Sequence, residues 1–411
     1  MATSPRFGFL LLALIYAAYI SLGLPDGIMG AAWPQVRAEF GVPLNANWPI
    51  YILGLAGGLI SSLSAGALMR QISTGRILLF TTLLTGSSVA ACGLAPQYFV
   101  LILLSFLLGL GNGAVDAALN HHAATHLSSR HMNWLHGFWG VGVSTGTLIV
   151  AGVNALGGSW RVACLSVATV QGLLALIFLT TQSSWAEPAS GIQGSTTNIP
   201  VPERPRNAQT FRLPAAWVSM GAFFLYCSVE FGTGVWTTSL LEEGRGWHAD
   251  RAVLFVTLFW GSLTVGRFLV GTVSNRLGPQ RILRLALTGV LLGTALISLS
   301  SLCGRGNLGG VISAAGLLFT GLSLAPIYPT LMHDTPACVG RGHSMNLIGF
   351  QAAAANIGLT CMPGLMGTLM RSTTVELLGI LLFIPTCALA ALIGLREKYK
   401  VAAMPAKLTV A

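Results

Sequence analysis

Three polar side chains recur at four-residue intervals inside an otherwise apolar stretch of this sequence. Asn112, Asp116 and Asn120 follow the apolar run 100–108, and their spacing places all three on one face of a helix. A carboxylate in hydrocarbon costs about 2.5–3.5 kcal/mol or more, so Asp116 should face a bundle interior or a water-filled cavity. The stripe is typical either of a path for a solute or ion, or of a buried polar network between helices.

A second acid, Asp26, lies in the apolar run that opens the chain. It follows Pro25, which frees a backbone carbonyl and so predicts a locally broken helix beside a polar cavity. A kinked packing face is the alternative. Because an acid inside the membrane can load a proton on one side and release it on the other, we predict that Asp26 and Asp116 couple transport to protons.

Further side chains have the chemistry to bind a hydroxylated solute. Aromatic rings can lie on the C–H face of a sugar, while amides and carboxylates bind its hydroxyl groups. The candidates are Tyr19, Asn112, Asn120, Asn133, His136 and Trp139 in the first half of the chain, and Tyr226, Glu230, Trp260, Tyr328, Asn346 and Gln351 in the second. Two alternatives stay open: neighbouring helices satisfy His136, and Glu230 forms a buried ion pair with Arg267.

The composition defines the elements that must position these residues. Hydrophobic residues make up 53% of the 411 residues and charged residues only 8%, against about 25% charged residues in a soluble domain. The chain is therefore a polytopic membrane protein. Twelve runs are long enough to cross a bilayer of about 30 Å, and we place them at 6–31, 48–69, 76–95, 98–122, 132–156, 160–181, 214–240, 251–273, 281–301, 307–332, 343–367 and 375–396.

The polar segment between the sixth and seventh runs predicts a linker. We expect an N-terminal bundle at 1–181, a cytoplasmic linker at 182–213, a C-terminal bundle at 214–396 and a cytoplasmic tail at 397–411. Of the 22 Lys and Arg residues, fifteen lie on the side of the termini, six on the other side, and Arg267 within a span. The positive-inside rule then predicts a multi-pass protein of the inner (plasma) membrane with both ends in the cytoplasm.

Several other classes of protein are disfavoured. The net charge of +10 is explained by orientation in the bilayer, so we expect no nucleic-acid partner. The seven cysteines have no metal-binding or disulfide spacing, and no nucleophile or nucleotide motif is present. We predict no enzymatic activity, no cofactor and no metal, and we expect a monomer in contact with the lipid bilayer.

The two halves repeat one another between their second and third runs. The segment 66–78 matches 271–283 at a constant offset of 205 residues. The segment from Gly271 to Arg281 resembles the inter-helix basic motif of the major facilitator superfamily, with Asn275 where an acid usually stands; the first-half copy has Arg70 there. This resemblance implies an all-α membrane protein of twelve transmembrane helices in two six-helix pseudo-symmetric bundles. It also implies gating roles, which we assign to Arg76, Arg267, Asn275, Arg276 and Arg281.

Three further segments resemble the fucose:proton symporter group and its sugar-carrier relatives. They are Leu24 to Gly27, Gly113 to Asp116 with Asn120, and Asn133 to Gly140. This resemblance implies symport of a sugar or related polyol with a cation, and it carries an acid over to Asp26 and to Asp116. The cation is a proton in our prediction, with sodium as the alternative.

Two other functions stay open. The first is a proton-coupled efflux antiporter for drugs or metabolites. Such antiporters usually carry a proline in the fifth span where Val143 stands, and an arginine in the fourth span where Ser105 stands, so these two residues count against this function. A membrane sensor that transports nothing would need an added domain, and a polar linker of about thirty residues is too short to fold as one.

Overall fold

The computed structural model describes residues 5–42, 46–185, 205–304 and 306–399. Within these ranges the chain forms helices and contains no strand. The helices of the first half are α1 (Pro5–Phe40), α2 (Asn47–Gln71), α3 (Thr74–Gly93), α4 (Tyr98–His126), α5 (Ser129–Ala155) and α6 (Trp160–Thr180). The others are α7 (Asn207–Phe211), α8 (Pro214–Ser239), α9 (Ala249–Leu277), α10 (Pro279–Leu299), α11 (Asn307–Leu324), α12 (Ile327–His333), α13 (Thr335–Arg371) and α14 (Leu378–Glu397).

Twelve segments of the described chain are long and apolar enough to cross a membrane, which confirms the predicted number of spans. The tenth span consists of two helices, because α11 ends at Leu324 and α12 begins at Ile327 after Pro326. Helix α13 contains a break at Gly340, whose φ of 78° lies in the left-handed region that favours glycine. Most of the predicted linker and tail lies outside the described residues, so the boundaries 182–213 and 397–411 stay predictions.

The chain divides into two compact units. The first contains Met1–His122 and Asn133–Glu203, and the second contains Ala123–Met132 and Arg204–Ala411. The turn between α4 and α5 thus groups with the second unit. Each predicted solute-binding or proton-coupling residue of the first half lies in the first unit, and each of the second half lies in the second.

Helix α1 is continuous through Pro25, so the predicted break at that residue is wrong. A proline has no backbone N–H and therefore leaves the carbonyl four residues earlier, here that of Ser21, without its helical partner. The buried side chain of Gln171 in α6 replaces the missing donor: its Nε2 donates to the Ser21 oxygen at 3.1 Å. The helix stays unbroken because this donor comes from another helix.

Glycines bring α1 and α5 into backbone contact. A Cβ atom on Gly27 would lie 2.0 Å from the carbonyl oxygen of Val143, and one on Gly142 would lie 2.1 Å from that of Ile20. Such contacts exclude any side chain at these two positions, as in other close pairs of membrane helices. This packing places the polar side chains of α1 directly against those of α5.

We expect Gln171→Met to lower the free energy of unfolding by about 1–3 kcal/mol, because the Ser21 carbonyl then has no donor in a buried environment. In a Pro25→Ala background, the new N–H of residue 25 can bond that carbonyl, so the same change should cost less than about 1 kcal/mol. The two costs are measured by unfolding four proteins in detergent: the parent, Gln171→Met, Pro25→Ala and the double variant. An equal cost of Gln171→Met in both backgrounds would show that Gln171 does not compensate for the proline.

Candidate functional site

Asp116 is the centre of a hydrogen-bonded network that joins three helices of the first unit. Its Oδ1 accepts from the Asn120 amide at 2.8 Å, one turn along α4, and from the Tyr19 hydroxyl of α1 at 3.3 Å. The Asn120 oxygen lies 3.1 Å from Nε2 of His136 in α5. The ring of Tyr19 also contacts the ring of His136 edge to face, with 5.5 Å between the ring centres. The structure therefore brings Tyr19 and His136, which the sequence predicted separately, together with Asp116 and Asn120, which it placed on one helical face.

The hydrogen-bond partners in this network indicate which group donates between Asn120 and Nε2 of His136. A carboxylate accepts only, so the Asn120 nitrogen must face Asp116 and the Asn120 oxygen must face His136. His136 Nε2 then carries the hydrogen and donates it. The chain of donors runs from His136 to Asn120 to Asp116, and it ends at the carboxylate.

Asp26 of α1 contacts α5, the helix that carries His136, at Trp139, about one turn after His136. Its Oδ2 accepts from the indole N–H of Trp139 at 3.3 Å, and the residue is exposed. Asp116 is partly exposed and Asn120 is fully buried. No basic side chain of the described residues forms an ion pair with either aspartate. The first unit thus holds two carboxylates without an opposite charge bonded to them.

The two remaining candidates of the first unit differ in burial. Asn112 is partly exposed, and its Oδ1 accepts no hydrogen bond from the described residues. Asn133 is fully buried in α5. The Asn112 amide oxygen is therefore a buried acceptor without a donor among the described residues, on the same face of α4 as Asp116.

Glu230, the candidate acid of the second unit, forms an ion pair. Arg267 of α9 donates from Nη2 to Oε1 of Glu230 in α8 at 3.0 Å, and both side chains are 5% exposed. This is the ion pair that the sequence left open as the alternative for Glu230. The fully buried Tyr226, one turn before Glu230, lies beside both charged groups.

Several aromatic rings of α8, α9 and α12 pack against α8. Tyr328, at the start of α12, contacts Phe223 and Tyr226 with ring centres 4.7 and 5.7 Å apart. The indole of Trp260 packs on Gly234, where a Cβ atom would lie only 2.4 Å from the ring. Trp260 is partly exposed, so one part of this ring remains accessible.

Asn346 and Gln351 bond to other parts of the second unit. The Asn346 amide donates to the Pro205 oxygen and to Thr210 Oγ1, both at 2.9 Å, and so ties α13 to the segment that precedes α8. Gln351 is fully buried and exchanges hydrogen bonds with Thr335 at 3.0–3.1 Å. A solute-binding role for these two amides stays a prediction, which these contacts do not favour.

The predicted gating residues of the basic motif lie at helix ends. Arg76, Asn275, Arg276 and Arg281 are all exposed. Asn275 Oδ1 accepts from the backbone N–H of Arg130, in the first turn of α5, at 3.4 Å. Free N–H groups at a helix start require such acceptors, so Asn275 caps a helix other than its own. Arg267, by contrast, is buried in the ion pair with Glu230.

One residue that supports the site was missed at the level of sequence. Gln171 fixes α1 next to Pro25 and Asp26, yet it lies in the sixth span, which held no candidate. The signal was an amide within an apolar run, which must find a partner inside the protein.

Comparison with known proteins gives one family and several relatives. The family model described as "Major Facilitator Superfamily" matches residues 15–345. The gallate transporter of Pseudomonas putida is 24% identical over 88% of this chain and 89% of its own length. The glucose/mannose transporter GlcP of Bacillus subtilis is 21% identical over 88% of each chain.

A crystal structure of FucP, the E. coli fucose:proton symporter, in the outward conformation resembles this fold with a TM-score of 0.73. The two sequences are 17% identical, and the match covers 95% of this chain and 99% of that one. At this identity the likeness concerns the fold alone.

We expect Asn120→Ala to lower the free energy of unfolding by about 1–3 kcal/mol, because it removes a donor to Asp116 and an acceptor for His136 in a buried place. Asn112→Ala, two turns away on the same face of α4, is the matched control and should change it by less than about 0.5 kcal/mol, because its amide oxygen has no partner to lose. Unfolding of both variants in detergent measures the difference. Equal effects at the two positions would contradict the network.

Proposed function

Because this chain belongs to the Major Facilitator Superfamily of transporters, we propose that it is a proton-coupled symporter of a sugar or sugar-like small polar solute. It works by alternating access, in which the solute site opens to one side of the membrane and then to the other. The observation that carries the proposal is the pair of membrane carboxylates, Asp26 and Asp116, with no basic partner bonded to them among the described residues.

The network around Asp116 can accept a proton without losing a bond. Tyr19 and Asn120 both donate to Oδ1, and Oδ2 has no hydrogen bond to a described residue. A proton added to Oδ2 leaves the carbonyl-like Oδ1 able to accept from both donors. Asp116 can therefore change charge while Tyr19 and Asn120 stay in place, which suits a group that loads and releases a proton in every cycle.

The charges within the spans favour a solute that is not an anion. Asp26, Asp116 and Glu230 are the acids well inside the spans, and Arg267 is the only cation there among the described residues, where it is bound to Glu230. A carboxylate solute such as gallate, which a relative transports, would meet no free positive charge. A hydroxylated neutral solute fits the amides and aromatic rings better.

We assign solute contacts to the candidates with accessible groups. Trp139 and Trp260 supply partly exposed aromatic faces, and Tyr19 and His136 connect the solute region to Asp116. Asn112 stays a further candidate, because its buried amide oxygen has no donor among the described residues. Glu230 holds Arg267 rather than a proton. The basic motif at Arg76, Asn275, Arg276 and Arg281 gates the cycle, and the protein is a monomer of the inner membrane with both termini in the cytoplasm.

We expect Asp26→Asn and Asp116→Asn each to abolish uphill uptake driven by a pH gradient in proteoliposomes, because an amide cannot carry the proton. Each variant should still exchange solute down its gradient, since the site keeps its shape. Glu242→Gln, which removes an acid outside the membrane core, is the control and should accumulate solute like the parent protein. Accumulation by both aspartate variants at the parent level would refute proton coupling through these groups. If the parent protein accumulates solute only with a sodium gradient, the coupling ion is sodium and not the proton.

The nature of the solute is tested by thermal stabilisation of the purified protein. We expect D-glucose, D-mannose or L-fucose to raise the unfolding temperature, and gallate to have no effect at pH 7, because the guanidinium of Arg267, well inside the described spans, is already bound to Glu230. Trp260→Ala should remove the stabilisation by the sugar. Stabilisation by tetraphenylphosphonium and by none of the sugars would favour the efflux antiporter, and stabilisation by gallate would refute the argument from charge.

A further inference from the structure

An ion pair joins three helices at one end of the first unit. This end, where α1 finishes and α6 begins, is here called the distal end. Arg161, the second residue of α6, donates to Glu39 near the end of α1 from Nε at 2.9 Å and from Nη2 at 2.6 Å. It also donates from Nη1 to the carbonyl oxygen of Gly93, the last residue of α3, at 3.1 Å. The other Glu39 oxygen accepts from the Trp160 indole at 2.6 Å.

A second ion pair occupies the equivalent place in the second unit. Arg245 follows the π-helical end of α8 and bonds to Glu376, which precedes α14. It also donates from Nη2 to Ser300 Oγ at 2.8 Å, directly after α10. Its Nε donates to Ser313 Oγ of α11 at 3.0 Å. Helices α8, α10 and α14 are the first, third and sixth spans of the second half, as α1, α3 and α6 are of the first.

The two pairs have their charges exchanged. In the first unit the acid is on the first span and the arginine is on the sixth. In the second unit the arginine follows the first span and the acid precedes the sixth. In both, the arginine reaches the end of the third span as well. A pairing that is kept while its charges are reversed indicates that the bond between the helices matters, and the position of each charge does not.

We propose that the Glu39–Arg161 and Arg245–Glu376 pairs are equivalent clasps. Each holds the first span of its half to the third and sixth spans, in the first unit at the distal end and in the second unit where α8 ends and α14 begins. The first spans carry Asp26 and Glu230, so the clasps fix the helices that hold the membrane acids. The glycine contacts of α1 are with α5, and the clasp adds contacts to α3 and α6. The first span of each half can then move together with the third and sixth spans of that half as one rigid body.

The clasps differ in exposure, which makes them separable by experiment. The Arg161 and Glu39 side chains are 26% and 40% exposed, whereas Arg245 is fully buried and Glu376 is 28% exposed. Salt screens exposed pairs much more than buried ones. The hydrogen bonds from Arg161 hold the pKa of the Glu39 carboxyl below its usual range. The first clasp is therefore intact at neutral pH and is lost only as the pH falls through that lowered value.

The test is hydrogen exchange of the full-length protein in detergent, followed by mass spectrometry. We expect Glu39→Arg and Arg161→Glu each to speed amide exchange at the distal ends of α1, α3 and α6 by about tenfold, because each variant sets like charges together. The double variant restores an opposite pair in the order that the second half uses, so exchange should return to within about threefold of the parent. Arg371→Glu, at an exposed helix end, changes the charge as Arg161→Glu does and should leave these segments unchanged.

A milder variant keeps the test informative if a charge reversal prevents folding. Glu39→Gln has no charge and keeps one acceptor oxygen, which can still accept from Arg161, while its amide nitrogen cannot accept from Trp160. In the parent protein, raising the salt concentration from about 0.05 M to about 1 M should speed exchange at the first clasp and not at the second. In Glu39→Gln this salt dependence should disappear. Three results would overturn the proposal. The single variants could exchange as slowly as the parent protein, the double variant could exchange as fast as the single variants, or the salt dependence could be equal at both clasps.

Discussion

Every polar group within the hydrocarbon must find its partner inside the protein, and this constraint accounts for most of what is specific in the structure. It explains why the carbonyl left free by Pro25 is bonded by Gln171 of another helix. It explains why Asp116 is bonded by Tyr19 and Asn120, and why Glu230 is bonded by Arg267. In each case the partner comes wholly or partly from a different helix, so the polar groups also determine which helices pack together.

The two halves satisfy this constraint in different ways at their acids. In the second unit a guanidinium neutralises the carboxylate of Glu230, and such a pair is stable only while both partners are present. In the first unit the described partners of Asp26 and Asp116 are neutral donors. Neutral donors stabilise a carboxylate without removing its ability to take up a proton. This difference is the physical reason for placing proton coupling in the first half and a fixed charge in the second.

The sequence was sufficient for the spans and for the membrane acids, because length, hydropathy and helical spacing are properties of one segment at a time. The twelve spans are confirmed, and the four-residue spacing of Asn120 and Asp116 appears as a bond of 2.8 Å. Partners on other helices were not predictable in this way. Spacing could not indicate that Gln171 compensates for Pro25, so a break was expected where α1 is continuous. It also could not indicate that Asn346 bonds to Thr210, because a helical face does not specify the helix that it meets.

In the proposed cycle, an aspartate within the membrane takes up a proton during transport. The chain contains only four aspartates, Asp26, Asp116, Asp250 and Asp334, so labelling them with carbon-13 at the side-chain carboxyl makes them distinguishable from the glutamates by infrared spectroscopy. We predict that acidifying the reconstituted protein produces a carbon-13-shifted band of protonated carboxyl, and that this band weakens when Asp26 and Asp116 are replaced together by asparagine. A band of unchanged intensity in that double variant would contradict this prediction.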